Sequence, residues 1–383
     1  MGAGGRLVRP GRILVATVVH HPDDARIRHR QIAALLSAGW QVTYVAPWDG
    51  YGLEPPLDVP GLTPVDVSRA RGRRRVAAQR DARRVLRELG PRHDLVLLHD
   101  PELVPVTLGL RLPPVVWDVH EDTRAVVALR SWVPDALRGP LASVASSVER
   151  LAERRMGLLL ADHDYADRFA REHLVVPNTT PVPADPPAAG QVDEQGRLRV
   201  VYLGSLTHER GVQELVAVGE QLRRRTEDRV RLEIIGPGHG TAGDVLATAR
   251  EAGHLTWTGF LPAGEALARL DGALAGLSLL HDVANFRPSM PTKVVEYLAH
   301  AVPVITTPLP RAVDLVQRSG AGVVVPFRDV EATVDQLLAW ADDPAAAAAL
   351  GRRGHELALL ELDWAQHAPA FVAEVARLAG RPA

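Results

Sequence analysis

The chain has 383 residues, 46% of them hydrophobic and 23% charged, enough for two domains with separate cores and free of the apolar depletion that marks disorder. A net charge of −2 provides no global field to draw in nucleic acid or an acidic membrane. Cysteine is absent, which excludes a disulfide framework, a thiolate metal site and a cysteine nucleophile, and suits a reducing cytoplasm.

The first apolar run, residues 13–19, is followed at once by His20, His21, Pro22, Asp23 and Asp24. It is too short for a membrane span and lacks a small-residue cleavage site, so it reads as a buried strand. After a polar loop, Ile32, Leu35 and Leu36 fall at helical spacing within residues 28–38, and Gly39 stops that helix before a strand at 41–46. Arg69, Arg71, Arg73, Arg74 and Arg75, interrupted by Gly72, read as a solvated loop; the competing reading is a patch for an anionic lipid or a phosphorylated acceptor. Strands follow at 95–98 and 115–118, then a long helix at 136–157 and a short strand at 158–161. The proline-rich stretch from Pro177 to Pro187 is a stiff, non-helical connector. Beyond Arg199 come strands at 200–203, 232–235, 255–258, 276–279, 302–306 and 322–325, with a helix at 212–224 after the first of them. An amphipathic helix at 364–378 closes the chain, and no repeat of solenoid length is visible. Alternating strands and helices imply α/β architecture with two doubly wound domains, whose ligands bind in loops after the strands.

Two such loops carry the informative residues. In Tyr202-Leu203-Gly204-Ser205-Leu206-Thr207-His208-Glu209-Arg210-Gly211, a strand ends at Gly204 and Arg210-Gly211 opens a helix. Glycine lets backbone approach a ligand, while a helix amino end and an arginine attract a diphosphate. In Pro288-Ser289-Met290-Pro291-Thr292-Lys293-Val294-Val295-Glu296, the residues Pro291 and Thr292 start a helix that bears Lys293 and Glu296 on one face. Amides at that start and the Lys293 cation suit phosphate oxygens, and Glu296 can accept two ribose hydroxyls.

These two segments resemble the donor-binding site of family 4 glycosyltransferases, a retaining group. His99-Asp100-Pro101-Glu102-Leu103, Asp118-Val119-His120-Glu121-Asp122 and Asp24-Ala25-Arg26-Ile27 resemble a branch found in bacterial polysaccharide and natural-product pathways, and Val176-Pro177-Asn178 resembles the family's usual link into the second domain. The resemblance implies the GT-B fold, two doubly wound Rossmann-like domains facing across a cleft. It divides the chain into an acceptor-side domain at 1–178, a linker at 179–198 and a nucleotide-sugar domain at 199–362, with the terminal helix 363–383 packing back on the first domain. It implies a donor site of Gly204, Ser205, Arg210, Gly236, Phe260, Pro291, Thr292, Lys293 and Glu296. It places His120, Arg210 and Lys293 in catalysis, and His21, Asp24, Arg26 and Glu121 on the acceptor side. Two positions depart from the family's pattern: Pro288 stands where an acidic residue is common, and Ser205 where a basic one is.

The expected activity is transfer of a sugar from a nucleoside diphosphate sugar to a hydroxyl of a small-molecule, glycan or lipid-linked acceptor. No cofactor, metal or nucleic acid is expected, and the expected location is cytoplasmic, with at most peripheral contact at the inner membrane face. A nucleotide-sugar 2-epimerase, a pseudo-glycosyltransferase and a catalytically silent nucleotide-binding partner are the alternatives on the same fold. His21-Pro22-Asp23-Asp24 also resembles the zinc signature of de-N-acetylases, which continue with Glu where this chain has Ala25 and need a glycine pair and a later histidine-rich ligand absent here. There is no Walker loop, nucleophile elbow or Asp-x-Asp metal–nucleotide motif.

Overall fold

Apolar runs pair side by side to organise each half of the chain. The computed structural model describes residues 9–120, 135–284 and 286–381. It comprises two compact units, Met1–Asn178 with Ala365–Ala383, and Thr179–Trp364.

In the first unit, β1 (Arg12–Ala16), β2 (Gln41–Ala46), β3 (Leu62–Asp66), β4 (Leu95–Leu98), β5 (Val115–Val119), β6 (Gly157–Leu160) and β7 (Leu174–Val175) form one parallel sheet in the order β3-β2-β1-β4-β5-β6-β7. Leu95 to Leu98 are all fully buried, which is why β4 is apolar throughout rather than alternating. The strand order reverses between β1 and β4, whose register runs from Ile13↔Leu95 to Ala16↔Leu98, so their carboxyl ends lie level. The helices are α1 (Ala33–Ser37), which continues a π-helical stretch at Ala25–Ile32, then α2 (Arg75–Leu89) and α3 (Asp135–Arg155).

Three sequence expectations change here. The first helical stretch begins at Ala25 rather than residue 28, because the Asp24 carboxylate caps it by accepting from the Arg26 and Ile27 amides. The sequence reading also has no β3 or α2. β3 is an edge strand with little buried surface, and α2 buries a thin stripe of Ala78, Ala82, Val85 and Leu86. Arg75 therefore starts a helix instead of lying in a loop.

The second unit has β8 (Leu198–Leu203), β9 (Val230–Ile235), β10 (Thr256–Trp257), β11 (Ala275–Ser278), β12 (Val304–Thr306) and β13 (Gly322–Val324), all parallel, in the order β10-β9-β8-β11-β12-β13. Its reversal point lies between β8 and β11. The helices are α4 (Val212–Thr226), α5 (Thr241–Glu251), α6 (Ala263–Ala268), α7 (Thr292–Ala299), α8 (Pro310–Ser319), α9 (Val330–Asp342) and α10 (Pro344–Leu357). The connector is non-helical but is not a free linker. The Thr180 amide donates to Leu362 O at 3.2 Å, the Gln191 amide to Gly272 O at 3.0 Å, and His355 Nε2 to Pro183 O at 2.7 Å. These bonds anchor it to the second unit.

The last helix, α11 (Trp364–Leu378), buries Phe371 and Val375 completely. Leu378 lies against Gly157 at the start of β6, where a methyl group would sit 3.0 Å from the Leu378 side chain. Two parallel doubly wound sheets of this kind are the expected α/β class.

Candidate functional site

The switch point of the second sheet gathers the donor-site candidates. Gly204 follows β8 with a φ of 117°, and Gly236 follows β9 with a φ of 135°. A methyl group on Gly236 would meet Gly204 O at 2.3 Å, so glycine lets these two backbone turns touch. Ser205 O accepts from Tyr202 Oη at 3.1 Å and from Arg210 Nη1 at 3.2 Å, folding the loop back so that Arg210 stands beside it. Arg210 belongs to a single 3₁₀ turn, His208–Arg210; Gly211 then turns with a φ of 82° into α4, where a methyl group would strike Leu279 O at 2.4 Å. The tight packing ties this loop to the one after β11.

That second loop leads to α7. Tyr297, fully buried on this helix, accepts from the Leu203 amide at 2.8 Å and donates to Leu277 O at 3.1 Å, so one hydroxyl pins α7 to both strands of the switch point. No side chain among the described residues caps the amino end of α7, which follows the buried Pro291 and begins at the exposed Thr292. Lys293 is 7% exposed, its Nζ lies 5.0 Å from the Tyr202 ring centroid, and a methyl group on Gly204 would sit 3.9 Å from it. Burial, with the Arg210 charge adding to it and Glu296 opposing, pushes the Lys293 pKa down to about 7. Glu296 is half-buried on the same helix. A desolvated ammonium, a guanidinium and an uncapped helix end together make a site that a diphosphate would neutralise. Phe260, just after β10, is 51% exposed, and the neighbouring Gly259 O accepts from the Gly236 amide at 2.9 Å.

The first unit builds a different centre at its own switch point. Asp118 on β5 is fully buried and takes a bidentate Arg26 guanidinium, Nε to Oδ2 and Nη2 to Oδ1 both at 2.7 Å, with Gln31 Nε2 at 3.0 Å. Burial opposes its charge, but the Arg26 guanidinium, with His120 and His99 close by, holds its carboxyl well below the usual range. His120 Nδ1 donates to Asp118 O at 3.0 Å. In the neutral ring this leaves Nε2 as an acceptor, and His20 Nε2 lies 3.0 Å from it and 3.3 Å from Asp100 Oδ1. Asp100, also fully buried, accepts from Thr17 Oγ1 at 3.0 Å and from the Val18 amide. His99 Nδ1 is 3.2 Å from Asp118 Oδ2 but out of line for a hydrogen bond, and its Nε2 has no hydrogen-bond partner among the described residues. Burial lowers the His99 pKa, against the pull of Asp118.

Several acceptor-side candidates are committed elsewhere. Arg26 is buried on Asp118 and Asn178, the latter at 3.0 Å, rather than presented to a ligand, because the Asp118 charge needs a counter-ion. Asp24 serves as a helix cap, and Asp23 accepts from Arg28 at 2.6 Å and lies 2.9 Å from His29 Nε2. His21 Nδ1 accepts from the Asp23 amide at 3.1 Å, and its ring meets Tyr51 edge-on at 4.7 Å. His21, Asp23 and Asp24 of the His-Pro-Asp-Asp motif thus each make contacts within the first unit. Glu121 lies outside the described residues. His99, Asp118 and His120, which the sequence reading did not combine as ligands, do bring one ligand atom each within 4.8 Å of one another. Arg26 already neutralises Asp118, so a cation there would have to share the carboxylate with a guanidinium. The sequence reading also passed over His20 and Tyr297. A doubled histidine directly after a strand is a signal for the first; nothing local marks the second.

Residues 197–343 match the family model described as Glycosyl transferases group 1. No curated protein sequence matches the chain. Similar solved structures include sucrose-phosphate synthase from Thermosynechococcus elongatus, at 16% identity and TM-score 0.71, covering 97% of this chain and 100% of that one. WaaG, a glycosyltransferase involved in lipopolysaccharide biosynthesis, is similar at 11% identity and TM-score 0.67, over 94% and 98%. Anabaena HepE, solved with UDP and glucose, is similar at 11% identity and TM-score 0.67, over 96% and 100%. These likenesses establish the GT-B fold.

Proposed function

We propose, with a group 1 glycosyl transferase domain at residues 197–343 as the premise, that the chain moves a sugar from a nucleoside diphosphate sugar to an acceptor hydroxyl with retention of anomeric configuration. The observation that carries the reading is the buried Lys293 beside Arg210 at the uncapped start of α7, a concentration of positive charge in search of a dianion. Arg210, Lys293 and the helix amides hold the diphosphate and stabilise it as the glycosidic C–O bond breaks and the leaving oxygen takes the electron pair. Glu296 accepts from the ribose hydroxyls, and the exposed ring of Phe260 offers a face to the base. The UDP in the HepE structure supports a donor of this chemical type.

The acceptor oxygen forms the new C–O bond on the same face, and its proton passes to the departing phosphate. No strong side-chain base is required, and the protein's own cations do the work of a divalent ion. His120, at the carboxyl end of β5 beside the switch point, is assigned to the reacting sugar. The test is NMR of donor and product in the presence of chelator, alongside His120→Ala. A retained anomeric centre, activity indifferent to chelator, and a variant that loses kcat more than donor affinity are expected. An inverted product with activity abolished in His120→Ala would make His120 a general base and overturn the mechanism. Free sugar released with no acceptor present would instead identify an epimerase.

A further inference from the structure

The first unit holds a second concave site apart from its histidine centre. A cavity of about 770 Å³ opens where the chain leaves β2 and β3, lined among others by Asp49, Asp66, Arg69, Arg71, Arg73 and Arg74. Asp66 spends a carboxylate oxygen on the Asp49 amide at 3.0 Å. Arg69 stacks 3.5 Å from the Tyr51 ring centroid. Arg71, Arg73 and Arg74 have no hydrogen bond or ion pair from their guanidinium groups to any of the described residues, whereas the next arginine, Arg75, pairs with Glu102. Gly72, with a φ of 54°, turns the chain between Arg71 and Arg73, and both line the same cavity. No side chain caps the helical start here, so its positive end adds to theirs.

Guanidinium groups converging on a hollow of this volume suit a compact anion with several oxygens, and arginine's forked donors fit phosphate best. The cavity is also joined to the loop after β1. Tyr51 Oη donates to Val19 O at 2.9 Å, its ring contacts His21, and the Ala70 amide donates to Val18 O at 2.8 Å. His20, on that same loop, faces His120.

We propose that this cavity binds the phosphate of a phosphorylated acceptor, leaving the acceptor's hydroxyl end toward the histidine loop; this rests on the glycosyltransferase reading above. The hollow favours a small phosphate ester over a membrane surface. Val76 is exposed nearby, but one valine falls short of the apolar face that seats a helix among lipids.

The experiment titrates inorganic phosphate and glucose 6-phosphate into the full chain already saturated with UDP, so that the donor site is filled. The triple variant Arg71→Ala, Arg73→Ala, Arg74→Ala is compared with the corresponding triple lysine variant and with the unaltered protein. Binding of both probes to the unaltered protein, at least tenfold weaker binding by the alanine variant and partial rescue by lysine are expected, with UDP affinity equal in all three. Failure of UDP to bind any of them counts against the donor reading alone, since the probes can then be titrated without it. Absence of probe binding to the unaltered protein, or equal binding by the alanine variant, overturns the proposal. So does binding confined to phosphatidylglycerol-containing vesicles and lost in the alanine variant, which would make the patch a membrane contact.

Discussion

Lys293 illustrates how a candidate functional residue is recognised by what it costs. Its ammonium is desolvated by burial, with its pKa lowered from 10.5 to about 7. The folded value lies below the unfolded one, so the charged form is penalised in full below pH 7, and the penalty fades as pH rises from 7 toward 10.5. Lys293→Met should therefore raise the melting temperature of the ligand-free protein at pH 6, with the gain shrinking at higher pH. A diphosphate reverses the balance, because it restores a partner for the charge. UDP binding at pH 8 should then be accompanied by uptake of a proton, approaching one per site, and should weaken as pH rises above 7, by up to about tenfold per pH unit. Calorimetry in buffers of different ionisation enthalpy measures that proton, and Lys293→Met should abolish its uptake along with most of the affinity. Proton-silent binding that survives in the variant would detach Lys293 from the phosphate. The sequence shows Lys293 and Glu296 three residues apart, but not that Lys293 points inward. Its Nζ lies 5.0 Å from the ring centroid of Tyr202 on β8, a contact that no local spacing encodes.

At the scale of elements, fully apolar strands were legible and amphipathic edges were not. β4 spans Leu95–Leu98, as the sequence indicates, because both its faces are covered and its residues leave no polar alternative. β3 and α2 escape for the opposite reason, a strand with a single buried residue and a helix whose core face is half alanine. The same limit governs Asp24. Read as part of a polar motif, it looks like a ligand for something outside the protein; the structure makes it the cap that starts the helical stretch at Ala25. Asp24→Ala should cost about 1 kcal/mol of stability, the usual value of a helix cap. In a unit of this size that is a fall of about 2–4 °C in melting temperature. Asp24→Asn keeps a side-chain oxygen for the Arg26 and Ile27 amides and should restore most of the loss. A normal melting temperature in Asp24→Ala, combined with a raised KM for the acceptor, would return this residue to the substrate side.

The whole molecule is two parallel sheets, each with its own reversal of strand order, but the chain does not complete one before it starts the other. Residues Thr179–Trp364 form the second unit from one continuous stretch, and its connector is hydrogen-bonded to it. The first unit is discontinuous, completed by Ala365–Ala383 after the chain has finished the second. Its final helix supplies the fully buried Phe371 and Val375 and the Leu378 side chain against Gly157, and Arg381 Nη1 reaches Asp94 Oδ2 at 3.1 Å. Burying two such side chains is worth about 3–6 kcal/mol, a large part of what holds a domain folded. A fragment of residues 179–364 should accordingly melt cooperatively by itself and bind UDP. A fragment of residues 1–178 should fail to melt cooperatively, and fusing residues 365–383 to it through a flexible linker should restore the transition. Scanning calorimetry on the three fragments decides the matter. A cooperative melt from 1–178 alone, at the temperature seen in the full chain, would show that the last helix rests on the first unit without completing it.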